Sequence, residues 1–245
     1  VISDASAHPT LTELLPREVS ERHGYPQKFE SLRPSVAHLY LMVGYDEDID
    51  LPKQIFWEIP SYDIPATDGR YKAQMDFSGM GTYVLCPSAR DPSHGQRYPG
   101  KSTVVVLAEV PYPWVERTRE DPEFADQFRA DVEAHLTAIM HRAIPALKDK
   151  TPAVVRAGAP VGCNPWAWEA CSLGLEPSAD RFTVHTHWLR PKTRVKNLYL
   201  TGQDILSMGF SGAMLGARLC FTAITGNWFH MLRKRLDWAT PPEPP

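Results

Sequence analysis

The chain has 245 residues, 43% of them hydrophobic and 22% charged, with a formal net charge of −3. That length can bury a sizeable core, as one large domain or two small ones. The weak negative charge gives no electrostatic footprint for nucleic acid, and no apolar run is long enough to span a bilayer.

Four cysteines (Cys86, Cys163, Cys171 and Cys220) are scattered without a CxxC pair. This spacing excludes a zinc ribbon or a dense disulfide frame. It suits a reducing compartment, cytoplasmic or peripheral to a membrane. The 23 prolines predict many turns and irregular connections.

Val1–Asp4 reads as the end of a strand, and Thr10–Leu15 as a short helix stopped at Pro16. Asp4 and Ser6 stand where they could cap that helix or touch a cofactor. Glu18 to Pro34 is polar and reads as loop with at most a helical turn. In Val36–Tyr45, Ala37, Leu39, Leu41 and Val43 alternate with His38, Tyr40 and Met42, which predicts a strand with one buried face. His38 is either a half-exposed sheet histidine or part of a substrate site. The acids Asp46, Glu47, Asp48 and Asp50 lack the glycine and final glutamate of a calcium loop, so they read as a solvated turn.

Ile55–Ile59 and Thr82–Cys86 are two further strands, with 61–79 and 87–100 as polar loops. Ser102–Val110 is almost continuously β-branched, which predicts a central, covered strand. Asp121-Pro122-Glu123 places an N-cap and an N1 proline ahead of Phe124, Phe128, Val132, Leu136 and Met140 at fourfold spacing. That is an amphipathic helix packed on a sheet. Ala153–Ala157 is a fifth strand. Phe182–Trp188 alternates like a sixth, putting His185 and His187 on one face. No third ligand lies nearby, so this pair reads as sheet surface or pocket wall, and no metal site is expected.

The most informative stretch is Leu198-Tyr-Leu-Thr-Gly-Gln-Asp204, followed by Gly209-Phe-Ser-Gly-Ala213. It reads as a short strand, a turn carrying an acid, and a helix that begins with small residues and has Ser211 as N-cap. Free N–H groups at a helix start attract anionic or partly negative oxygens. The segment is therefore either a cofactor seat or a strand–turn–helix made glycine-rich for packing. Downstream, Trp228, Phe229, Leu232 and Leu236 adjoin Arg233-Lys-Arg235, a solvated surface helix or a basic amphipathic end for peripheral membrane contact.

Leu198–Asp204 with Gly209–Ala213 resembles the flavin-binding segment near the C-terminus of the phytoene desaturase, carotenoid isomerase and retinol saturase family. The Gly-Gln-Asp form is most similar to the retinol saturase and carotenoid isomerase branch. Val1–Ala5 resembles a mid-chain segment of the same family, and Leu173-Gly-Leu-Glu-Pro177 its turn before the cofactor segment. The resemblance implies a mixed α/β chain: the C-terminal part of a two-domain, Rossmann-like FAD oxidoreductase with a mixed-sheet substrate domain. The GxGxxG fingerprint is absent from the sequence, so an upstream N-terminal FAD-binding segment or separate chain is expected as partner. Residues 1–16 and 180–236 would return to the FAD domain, 17–179 would form the substrate domain, and 237–245 a tail.

By the same resemblance, Gly202, Gln203 and Asp204 would face the ribityl–pyrophosphate region. The amides of Phe210, Ser211, Gly212 and Ala213 would face the pyrimidine edge of the flavin, beside Gly209. The strand after the long helix would end at the substrate channel, making Pro160, Trp166 and Trp168 pocket candidates. The implied reaction is saturation, desaturation or isomerisation of a carbon–carbon double bond in an apolar polyene. FAD is the cofactor, NAD(P)H is a possible electron donor, and no catalytic side chain is identifiable. The alternatives are a non-catalytic half-enzyme partner and an amine-oxidase-like flavoenzyme.

Overall fold

A computed structural model describes residues 1–158, 171–183 and 186–227. In chain order, β1 (Ile2–Ser3) leads to three short helices, α1 (Ala7–Thr12), α2 (Arg17–Arg22) and α3 (Tyr25–Phe29). Next come β2 (Ala37–Tyr45), β3 (Phe56–Glu58), α4 (Ile64–Gln74), β4 (Thr82–Leu85), the single turns α5 (Pro87–Arg90) and α6 (His94–Arg97), and β5 (Ser102–Val110). The long α8 (Pro122–Ala143) follows α7 (Tyr112–Glu120), and then β6 (Val154–Gly158), β7 (Tyr199–Leu200) and α9 (Gly209–Thr225). The described residues divide into two compact units, one within Val36–Cys163 and the other built from Val1–Ser35 and part of Asn164–Pro245.

The first unit is a five-stranded sheet in the order β3-β4-β5-β2-β6, antiparallel at every pairing. The sheet, for which an antiparallel or mixed arrangement is expected, is wholly antiparallel. Its buried face is the one that alternation predicts. Leu39, Leu41 and Val43 of β2 pack with Val104, Val106 and Ala108 of β5. Helix α8 covers them with Phe128, Val132, Leu136, Ile139 and Met140. Its start is fixed as expected: the Phe124 amide donates to the Asp121 carboxylate at 3.0 Å, with Pro122 in the first turn.

Several elements of this unit differ from the sequence reading. The polar stretch 61–79 holds α4, because Asp63 accepts from the Ala66 amide at 3.3 Å and Tyr71 is buried, donating to the Glu109 carbonyl at 2.5 Å. A further helix, α7, follows Pro111, in a stretch for which the sequence reading gives no helix. Strand β5 is central but covered on one face: Val105 and Leu107 are half-buried and Glu109 is exposed. A β-branched run fits a half-buried pleat as well as a fully buried one.

The second unit is centred on β1, which pairs in parallel with β7 through Ile2–Tyr199 and Ser3–Leu200. Ala7, Leu11, Tyr25, Phe29, Leu32, Leu175, Leu198 and Leu200 form its core. Residues 17–35 and 171–179 therefore belong here and not with the sheet, which moves the expected boundaries at 16 and 180. The apolar residues of α3 are too few for a core of their own: Tyr25 and Phe29 share one buried cluster with Ala7 and Leu11 of α1 and pack against Trp188. The described part of 182–188 is not a strand. Ala179–Phe182 is a 3-10 turn, and the Thr186 hydroxyl folds back to donate to the Arg181 carbonyl at 2.6 Å.

The mixed α/β class stands as expected. Pro160, Trp166, Trp168, Cys163, His185, the basic segment from Trp228 and the tail lie outside the described residues. Among the described residues no helix is long and apolar enough to cross a membrane.

Candidate functional site

Strand β7 ends at Leu200, and the chain then turns through Gly202 at φ +87° into a 3-10 turn, Gln203–Ile205. This turn places Asp204 inside the unit, 4% exposed. One carboxylate oxygen accepts from the Ala7 amide at 2.7 Å, the other from the Leu175 amide at 2.9 Å. One acid thus ties together three chain segments: the start of α1, the 171–176 turn and the loop before α9. The acid expected to face the ribityl–pyrophosphate region is engaged with backbone. A buried charge so placed gains two charge-assisted hydrogen bonds.

Arg181 completes the arrangement and is a residue the sequence reading did not single out. It is 5% exposed and donates to the carbonyls of Leu175 at 2.8 Å and of Gln203 and Asp204 at 2.9 Å each. Burial lowers its pKa, and the nearby Asp204 charge opposes that shift. An isolated arginine in a polar stretch carries no sequence signal for this role. Gly174 lets the carboxylate approach, since a Cβ there would stand 2.3 Å from an Asp204 oxygen.

The glycines of the cofactor-like segment have separate reasons. A Cβ on Gly212 would lie 1.6 Å from the Ser207 carbonyl oxygen, and one on Gly216 would lie 2.1 Å from that of Gly202. Both are buried on the inner side of α9, so their smallness is a packing requirement. Gly209 differs: it sits at φ +74° with nothing within 4 Å of a Cβ, and its amide donates to the Gln203 side-chain oxygen at 2.9 Å. Helix α9 begins there, so Ser211 lies inside the first turn and is not the N-cap. The capping position is Met208, which has no side-chain cap bond. The glycine at positive φ, held by Gln203, starts the helix three residues earlier than a Ser211 cap would.

Asp4, Ser6, Gly202, Gln203, Gly209 and Ala213 line one cavity of about 410 Å³, with Asp204, Phe210 and Cys171 also at its wall. Ser211 and Gly212 are not part of that wall. Ser6 precedes α1, makes no side-chain cap bond and lines the cavity. Burial pushes the Cys171 thiol up to about 11, helped by the Asp204 charge, so it is not a thiolate at neutral pH. The first-turn N–H groups of α9 have no acceptor within their own helix. The cavity thus combines helix-start donors, the Asp4 carboxylate and the Ser6 hydroxyl, a set suited to carbonyl oxygens and hydroxyls of a bound cofactor. The open space at Gly209 would be filled by a Cβ, and it fits close approach of a flat group. Among the described residues no three His, Cys, Asp or Glu side chains converge for a metal.

No protein-family model matches the chain. It is 28% identical over 246 residues to the all-trans-retinol 13,14-reductase of Danio rerio, covering 94% of this chain and 40% of that protein. The human all-trans-retinol 13,14-reductase is 29% identical over 255 residues, covering 97% of this chain and 41% of its own. A second Danio rerio relative, an inactive all-trans-retinol 13,14-reductase, is 25% identical, covering 94% and 40%. The chain thus spans about two fifths of the length of these relatives. They are relatives of the kind that the Gly-Gln-Asp segment suggests. The crystal structure of an oxidoreductase from Methanosarcina mazei is similar over 93% of this chain and 42% of its own, with a TM-score of 0.48 and 15% identity.

Proposed function

We propose that this chain is part of an FAD-dependent oxidoreductase that saturates a carbon–carbon double bond in an apolar polyene. The observation that carries the reading is sequence similarity along nearly the whole chain to proteins named all-trans-retinol 13,14-reductase. The cavity supports it with groups of the right kind. Gly209, Phe210 and Ala213 would hold the flavin end through the start of α9. Asp4 and Ser6 would take hydroxyls, and Gln203 would hold the turn. Bound flavin supplies hydride transfer. The residues of this chain bind and orient it, and the dipole of α9 favours negative charge at the helix start. Asp204 and Arg181 act behind this surface by fixing the backbone that forms it.

The rest of the cofactor seat would come from an upstream N-terminal FAD-binding segment or chain. Helix α9 offers that partner an apolar face: Phe210 is 83% exposed, and Met214, Phe221 and Ile224 are exposed as well. A second reading, a non-catalytic relative, is favoured by the match to a protein named inactive. Peripheral membrane contact and NAD(P)H as donor belong to the same proposal.

The test uses the full-length protein with its upstream segment. Its absorption spectrum is recorded before and after denaturation, and all-trans-retinol is then supplied anaerobically with NAD(P)H or a chemical reductant. Release of flavin and formation of a product two hydrogens heavier are expected. A sample that stays colourless with added FAD overturns the flavoenzyme reading. Bound flavin that never reduces the polyene supports the non-catalytic one.

A further inference from the structure

The sheet unit holds a cavity of about 330 Å³, walled by α7 and α8 on one side and by β2 and β6 on the other. Its floor is apolar: Leu39 of β2, Ala157 of β6, and Phe128 and Val132 of α8. Leu39, Phe128 and Val132 are buried members of the main core, and Ala157 packs against it. The room has a cause in the sequence. Ala125, Phe128, Arg129 and Val132 stand at i, i+3, i+4 and i+7, so they share one face of α8. Ala125 is small there, and the end of β6 brings Ala157 and Gly158, equally small. Farther along, Leu136, Ile139 and Met140 fill the space under the helix, whereas its first turns leave a gap. The rim of that gap is cationic. Arg119 of α7 and Arg129 of α8 line it, and among the described residues no Asp or Glu does. Arg129 donates to Asp126 at 3.2 Å, with the two side chains 58% and 80% exposed. A surface pair of that kind is weak, so a bound anion can share the guanidinium. The Thr118 hydroxyl, also at the wall, donates to the Val115 carbonyl at 2.7 Å, which leaves recognition of an anion to the guanidiniums.

We propose that this cavity binds a medium-length, single-chain monocarboxylate, the chemistry of a fatty acid, with its tail on Leu39, Phe128, Val132 and Ala157 and its carboxylate held by Arg119 and Arg129. Two like charges at one rim draw an anion, and the planar guanidinium fork matches a carboxylate with paired N–H donors. The apolar floor takes the chain out of water. The volume lies at the small end of small-molecule sites, about 300–1,000 Å³, which suits one acyl chain. The proposal goes beyond the flavin reading and does not depend on it, since none of the residues lining the cofactor-like cavity lines this one.

The test is isothermal titration calorimetry of the full-length protein with decanoate and with 1-decanol, both kept monomeric in solution. Decanoate is expected to bind saturably at one site and about tenfold more tightly than decanol, as a hydrogen bond to a charged group implies. Arg119→Gln combined with Arg129→Gln is expected to bring decanoate down to the affinity of decanol and leave decanol unchanged. Arg119→Lys with Arg129→Lys restores part of the preference, because the charge returns without the fork. Both arginines are exposed, so these variants keep the fold, which an unchanged melting temperature checks. Ala125→Trp places an indole in the cavity and should abolish binding of both ligands. Equal affinities for decanoate and decanol, or a preference that survives the double glutamine substitution, overturns the proposal. Decanoate binding that a folded Ala125→Trp protein retains in full places the ligand elsewhere and overturns it as well.

Discussion

Replacing Asp204 by asparagine changes almost no volume and tests what the acid does. The carboxylate presents one oxygen to the Ala7 amide and the other to the Leu175 amide, both buried. Asparagine has one acceptor oxygen, so one amide must face an NH2 group. The loss of a charge-assisted hydrogen bond costs about 1.5–3 kcal/mol, and the buried amide left behind adds to it. The guanidinium of Arg181 also loses a nearby opposite charge. The expected total is about 3–4 kcal/mol. Urea unfolding followed by circular dichroism measures it, with hydrogen exchange at Ala7 and Leu175 as the local readout. A change below about 0.5 kcal/mol, with both amides still protected, refutes the internal-tether argument. If flavin affinity alone falls, Asp204 is a direct cofactor ligand instead.

Arg181→Leu orphans three carbonyls, two of them in buried hydrogen bonds, and is expected to cost about 3–5 kcal/mol, whereas Arg181→Lys recovers only part of it because lysine lacks the planar fork. Thermal unfolding of the pair orders them. Gly212→Ala places a Cβ against the Ser207 carbonyl and should prevent α9 from docking, while Gly209→Ala meets open space and pays only for φ +74°, about 1–2 kcal/mol. Equal melting temperatures for the two would contradict the packing assignment. His38, His135 and His8 are all held below the ordinary 6.5 chiefly by burial. As pH falls below about 6.5 the unfolded chain takes up protons that the folded chain does not, so stability present above that pH is lost on acidification. Urea midpoints measured at pH 7.5 and pH 5.5 should differ in that direction, and less so in His135→Gln.

Sequence by itself determined the elements whose cause is local and periodic. The alternation of Leu39, Leu41 and Val43 gives β2, and the fourfold spacing from Phe124 to Met140 with Asp121 ahead gives α8. The strand, turn and helix around Gly202 were legible for the same reason, and their order carried the resemblance that the relatives match. Helix α4 was not legible because its sequence is polar and declares no apolar stripe, and α7 because it is short and opens on Pro111 and Pro113. Only the tertiary structure decided what the glycines and the acid do. Gly212 and Gly216 are small because two carbonyls press on α9, which no spacing along the helix announces. Asp204 reaches the amide of Ala7, 197 residues away in sequence, and Arg181 closes the same turn from a stretch with no pattern. A buried charge must find partners wherever the fold brings a backbone group within reach, so its role is fixed by proximity in space rather than by order in the chain.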